Sequence, residues 1–396
     1  MRLADVRLDE SEGVVRLSAV AEDASGKALP EVWFEYDARW RDFVRADADV
    51  FLPMMFVGSM LRGERFETGM PVSVRMCAEL RDVSAIFGKW FGERLTATVP
   101  EISNVEAKPA DATGNTATFF SAGVDAFYVA LKFLRGEGDG SLTHLVYMRG
   151  LEAPLSKIKS GKESRIEAIA RDLGLPVIMG KTNLRDCFDY DYLPYVCGPA
   201  LASSALSLSR RLSRMRIPSG ASYRVEDFYP ESTHLLLDRL WSTEYMEIRS
   251  DGAEKTRAHK TQYISSSETA LGNLAVCIVN LGEWDNCCRC PKCVRTMISL
   301  QALGVLEKAA GFCSPFDYGL IGGINLDSPL TRAFFVQNLE LSHETGHDAR
   351  LTREMEKHLA RWKKYRALVT LVEGTPFHGI ARWAREAVKK RRKAKA

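Results

Sequence analysis

From residue 116 to about residue 220, short apolar runs alternate with segments of helical periodicity. Thr116-Ala117-Thr118-Phe119-Phe120 is a β-prone run, and residues 126–134 follow with Phe127, Val129, Ala130 and Phe133 at helical spacing. Leu145-Val146-Tyr147-Met148 and Pro176-Val177-Ile178-Met179 read as buried strands, with a helix over 164–173 between them. A helix over 200–214 leads into a fourth strand at 215–220. Strands separated by helices predict a parallel, Rossmann-like α/β sheet with crossover helices.

Before residue 116 the pattern is mixed. Val32-Trp33-Phe34-Glu35-Tyr36 and Val72-Ser73-Val74-Arg75-Met76 predict strands, and residues 78–90 a short helix with Leu80, Val83, Ile86 and Phe87 on one face. Residues 108–115 are small, polar and turn-rich, which places a domain boundary there. Beyond Arg295 the pattern is helical, broken near 315–329 and at Gly374-Thr375-Pro376. The expected organisation is a small α+β domain over 1–110, an α/β domain over 115–300 and a helical region over 301–396.

Composition narrows the class. With 396 residues, 46% hydrophobic and 27% charged, the chain is neither disordered nor fibrous. Its longest apolar run, Phe51 to Met60, contains Pro53 and is about half the length of a spanning helix. Residues 1–6 lack the apolar stretch of a signal peptide. A cytoplasmic protein without a membrane partner is therefore expected. The formal net charge is +3, but residues 381–396 hold eight Lys/Arg and one Glu, which leaves −4 on the other 380 residues. A body coated in nucleic acid is not expected, and the basic tail is either a solvated terminus or a weak arm for an anionic partner.

Strand, then Ser121-Ala122-Gly123-Val124-Asp125, then helix is an arrangement that can hold phosphate. The helix amino terminus exposes N–H groups, Ser121 adds a hydroxyl and Gly123 permits a tight turn. Asp125 would cap the helix or orient a ligand-bound Mg²⁺. An ordinary βα turn with an Asp cap has the same pattern. Phe119 to Ala126 resembles the SGGxDS loop of the PP-loop ATP pyrophosphatases. The resemblance implies that Ser121, Ala122, Gly123, Val124, Asp125 and Ala126 contact the pyrophosphate of ATP or its Mg²⁺, with Met148 as a further nucleotide contact. Ala122 and Ala126 stand where the family has Gly and Ser, so turnover is less secure than binding. No Walker A loop is present.

Nine cysteines, five of them within residues 277–293, point to a metal and not to a disulfide framework. Cys277, Cys287, Cys290 and Cys293 supply four thiolates at spacings that can close around structural Zn²⁺, with an iron–sulfur cluster as the rival. Cys288 should point away. This spacing, followed by Arg295, resembles the cysteine motif that ends the PP-loop domain of the 7-cyano-7-deazaguanine synthases, whose spacing is one residue shorter between the first two cysteines. The two motifs together cover roughly residues 116–300.

His343-Glu344-Thr345-Gly346-His347 satisfies the HExxH zinc-peptidase pattern, but Gly346-His347-Asp348 reads as a helix end, so a solvated helix–loop–helix is expected. His234, Asp238, His259 and Lys260 lie where related enzymes place substrate loops, and Lys260 joins Asp125 as a catalytic candidate. Asn183 and Arg185 follow the third strand, where ligands of open α/β sheets bind. The resemblance implies an ATP-dependent enzyme that adenylates a small carboxylate or carbonyl for attack by ammonia, an amine or sulfur. A nucleotide-binding regulator without turnover, and a zinc-containing factor for nucleic-acid modification, stay open beside it, as does a homodimer.

Overall fold

The computed structural model describes residues 1–109, 114–158, 162–188, 192–280 and 285–373. Twelve strands occur among them: β1 (Arg2–Ser11), β2 (Val14–Glu22), β3 (Val32–Asp37), β4 (Glu67–Thr68), β5 (Val72–Ser73), β6 (Glu101–Ile102), β7 (Val105–Glu106), β8 (Asn115–Phe119), β9 (His144–Arg149), β10 (Val177–Thr182), β11 (Leu212–Pro218) and β12 (Glu247–Asp251). Ten of them form one sheet in the order β12-β11-β8-β9-β10-β3-β2-β1-β4-β6. The run from β12 to β10 is parallel throughout, as the strand–helix alternation predicts.

The sheet does not stop at the position expected for a domain boundary. β3 pairs antiparallel with β10, with Lys181 opposite Glu35, so β1 to β3 extend the same sheet. In β2 the alternate residues Val15, Leu17, Ala19 and Ala21 are all buried, which is the period-2 pattern of a strand with one face in the core. Residues 110–113 of the expected linker lie outside the described residues.

Helices cover both faces. On one face lie α1 (Ala48–Arg62), α2 (Val74–Phe91) and α7 (Cys197–Ser207). α1 is the longest apolar run of the sequence; it is buried from Ala48 to Leu61, as expected of a helix apolar on all sides. The other face holds α3 (Val124–Leu134), α4 (Lys162–Asp172), α8 (Arg257–Ile264), α9 (Glu268–Asn273) and α10 (Pro291–Ala302). Two short helices, α5 (Leu184–Cys187) and α6 (Tyr192–Tyr195), link β10 to α7, and α11 (Pro329–Thr345) and α12 (Ala349–Glu373) close the described chain.

Two expected elements are corrected. The strand at 72–76 ends after Ser73, whose side chain accepts from Met76 N and caps α2. The helix expected over 200–214 runs over Cys197–Ser207 instead, and β11 already begins at Leu212. The break near 315–329 is present as non-helical chain between α10 and α11, interrupted only by 3₁₀ turns. Gly374-Thr375-Pro376 and the basic tail lie outside the described residues. Among the described residues no helix is long and apolar enough to cross a membrane.

Candidate functional site

The parallel strands place β8 at the centre, β9 and β10 to one side and β11 and β12 to the other. Connections therefore diverge after β8 and β11, so the topological switch point, the usual ligand position in open α/β sheets, lies between their carboxyl ends. The loop after β8 is Ser121-Ala122-Gly123. Ser121 is exposed and Ala122 buried. Ala122 has φ +60°, a left-handed conformation that costs a residue with Cβ about 1–2 kcal/mol. Its carbonyl accepts from Ala275 N at 2.9 Å, which joins the loop to the chain entering the cysteine cluster. No side chain caps α3, whose cap residue is Gly123. Asp125 is thus not the cap that its position suggests.

Asp125 instead anchors a cluster of cations. Arg257 Nη1 donates to Asp125 Oδ2 at 2.5 Å, while Lys260 Nζ lies 3.6 Å from Oδ1. Oδ1 is buried and has no hydrogen-bond partner. Lys260 is fully buried and donates to Ser219 O, just after β11, at 2.6 Å. One turn of α8 carries both cations, because Arg257 and Lys260 are three residues apart. Lys292 and Arg295 sit at the same spacing at the start of α10.

Electrostatics follow from this crowding. Burial opposes ionisation of Asp125, yet Arg257, Lys260, Arg295 and Lys292 hold its pKa below the ordinary carboxylate range. Burial and Arg257 push Lys292 down to about 8 and Arg295 down to about 9. Burial raises the Glu231 carboxyl despite Lys292 and Arg295. Four cations against Asp125 and Glu231 leave the switch point positive, a setting that attracts a polyanion.

The carboxy-terminal helices hold this cluster in place. Gln337 of α11 accepts from Arg257 N at 3.2 Å and donates to both oxygens of Asp227, at 2.8 and 3.0 Å. Asn338 donates to Arg295 O at 3.0 Å. Arg224, on the loop after β11, forms a two-toothed pair with Glu340 at 2.5 and 3.1 Å.

Cys277, Cys287, Cys290 and Cys293 bring four sulfurs within 4.8 Å of one another, a set that could hold a metal ion. Tetrahedral Zn–S bonds of about 2.3 Å put sulfurs about 3.8 Å apart. Here Cys287–Cys293 is 3.9 Å and Cys290–Cys293 is 3.4 Å. Val279 N and Asn280 N each donate to Cys277 Sγ at 3.3 Å, and Cys290 N donates to Cys287 Sγ at 3.3 Å. Burial opposes ionisation of Cys277, but the N–H groups of Asn280, Cys287 and Val279 bring its thiol down to about 6. Burial and the neighbouring Cys290 push Cys293 up, and a metal bound there would displace that proton. Cys288 has φ +57°, and its sulfur accepts from Cys313 N at 2.9 Å; it faces away from the other four, as its position between them predicts. Cys290 also caps α10 by accepting from Cys293 N. The cysteine cluster thereby sets the start of the helix that carries Lys292 and Arg295.

Other sequence candidates have structural partners. Met148 is 4% exposed, and a Cβ at Gly180 would come within 2.5 Å of its sulfur; it fills the core on the α1 and α7 face. Asn183 fastens β10 to the start of β3, accepting from Trp33 N and donating to Glu31 O. Arg185 donates to Glu152 O. His234 packs edge-on against Trp90 and accepts from Leu236 N, and Asp238 accepts from His234 N and Ser250. His259 pairs with Glu344 at 2.9 Å and His343 with Glu356 at 3.4 Å. α11 ends at Thr345 with left-handed Gly346 as its cap, so His343 and His347 do not share a helix. Among the described residues the four cysteines are the one cluster that could hold a metal.

Ser121, Gly123, Asp125 and Lys260 are brought together. Arg257 and Lys292 were not evident from the sequence, although each stands three residues from a cation already noticed, Lys260 and Arg295, at the spacing of one helix face. No family model, curated protein or solved structure matches the chain.

Proposed function

We propose that the chain is an ATP-dependent adenylating enzyme that activates a small carboxylate or carbonyl, releasing pyrophosphate, for attack by ammonia, an amine or sulfur. One observation carries this reading: an uncapped helix amino terminus and a Ser-Ala-Gly loop face four cations at the switch point of a parallel sheet. The resemblance of Phe119 to Ala126 to the PP-loop fits that position. Pyrophosphate lies against Ser121, Gly123 and the first N–H groups of α3. Arg257, Lys260, Lys292 and Arg295 stabilise charge on the departing group. Mg²⁺ arrives with the nucleotide, and Oδ1 of Asp125, which accepts no hydrogen bond and faces Lys260 at 3.6 Å, is the protein oxygen available to it. When bound, the ion neutralises phosphate charge. Asp125 otherwise keeps Arg257 and Lys260 aligned.

The cysteine cluster holds structural Zn²⁺ on Cys277, Cys287, Cys290 and Cys293 and fixes the start of α10. Titration calorimetry with ATP and Mg²⁺ tests the nucleotide site. Binding at or below millimolar concentration, abolished in Arg257→Ala, is expected; no binding at millimolar ATP ends the proposal.

A further inference from the structure

Behind the candidate nucleotide site, Arg257 and Arg295 each keep Nε buried without a hydrogen-bond partner. Both arginines line one small cavity between α8, α10 and α11, walled also by Ala258, Ser299, Phe334 and Gln337. It has room for about one water-sized particle. The Arg295 guanidinium lies over the Phe334 ring at 4.2 Å, while Arg257 spends Nη1 on Asp125.

The other polar groups of the lining are already engaged. Gln337 Oε1 accepts from Arg257 N, and Asn338 Oδ1 accepts from Ser299 Oγ at 2.5 Å. Thr261 and Thr296 donate to the carbonyls of Arg257 and Lys292. The donors left over are the two cationic Nε–H groups, and two unsatisfied buried donors are costly. An occupant that only accepts hydrogen bonds suits them. A water could pass its protons to the hydroxyl lone pairs of Ser299, Thr261 and Thr296, but it carries no charge to set against two guanidinium groups. The excess of positive charge favours an anion, and the small volume excludes phosphate or an organic acid.

We infer that this cavity binds a monovalent anion of halide size, bridging Arg257 Nε and Arg295 Nε. It restrains both guanidinium planes from behind, so that their outer N–H groups face Asp125 and the switch point. The anion site stands on the cavity itself; only the benefit to nucleotide binding rests on the proposed adenylation.

Crystals of the full chain grown without nucleotide, with bromide replacing chloride, test it. An anomalous peak between the two Nε atoms is expected. Thermal unfolding at constant ionic strength, with gluconate exchanged for chloride, should show a saturable rise of about 1–2 °C. Ala258→Val, which adds two methyl groups to the cavity wall, should melt cooperatively and lose the rise. Density without anomalous signal, or the same melting temperature in gluconate and chloride, overturns the inference. Because no nucleotide is present, these outcomes are independent of whether the chain makes AMP.

Discussion

The Arg257 guanidinium and the Asp125 carboxylate meet at 2.5 Å across 132 residues of sequence, bringing the amino end of α8 against that of α3. Lys260 holds the other carboxylate oxygen at 3.6 Å. Asp125→Asn removes the anion that both cations face. The variant should lose about 3–5 kcal/mol of stability because buried charges lose their partner, and added pyrophosphate should restore most of it. Turnover should fall at least about 100-fold. Thermal melts with and without pyrophosphate check this, and a variant as stable as the parent in both conditions contradicts it.

Ala122 sits at φ +60° where glycine would be unstrained. Ala122→Gly should stabilise the fold by about 1 kcal/mol and leave ATP affinity within about twofold, because the Ala122 carbonyl that holds Ala275 N is unchanged. Urea denaturation measures the first and calorimetry the second. A destabilised variant would mean that the methyl group contributes more through packing than its backbone strain costs.

Cys290 both belongs to the metal cluster and caps α10. Metal analysis of protein purified without added metal should give about one Zn per chain, and Cys290→Ser should lower stability and weaken pyrophosphate binding together, since Lys292 and Arg295 ride on that helix. Cys288→Ala should stay within about 1 kcal/mol of the parent. Bound iron, or no metal at all, contradicts the zinc assignment.

Asp238 supplies one distinct pH-dependent contribution to stability. It is 1% exposed, and burial raises its pKa from 3.8 to about 7, against the hydrogen bonds from Ser250 and His234 N. A carboxyl whose folded pKa is raised binds more protons folded than unfolded, so its effect on stability is unfavourable as pH rises from about 4 to about 7. The Asp238 contribution to stability should therefore fall across that window by at most a few kcal/mol, against the rise contributed by His144 and His234, whose pKa values burial lowers. Asp238→Asn should make stability rise more steeply, or fall less, with pH than in the parent between pH 4 and 7 in denaturant melts; an unchanged slope would mean that Asp238 does not titrate there.

The central parallel strands were legible because burial on both faces makes continuous apolar runs, as at Leu145 to Met148, and because each is followed by helical periodicity. The union of the amino-terminal strands with that sheet was not. The pairing of β3 with β10 joins Glu35 to Lys181, and no local pattern encodes so distant a partner. Ser73 misled for a related reason: a Ser cap after a β-branched residue looks like continuing strand until Met76 N finds its hydroxyl. In the site, Ser121, Gly123 and Asp125 were legible as a loop before a helix. The cation cluster was not, since four residues from α8 and α10 converge only through the fold. Asn183 drew notice by its place after a strand end, and strand ends also need staples to their neighbours.

Adenylation is tested most directly by separating the products formed from ATP. The chain is incubated with ATP, Mg²⁺ and a panel of small carboxylic acids with ammonia, and the nucleotides are resolved by ion exchange. AMP and pyrophosphate in equal amounts, dependent on one class of acid and lost in Asp125→Asn, is the predicted result. ADP with phosphate, or unchanged ATP across the panel, would contradict it.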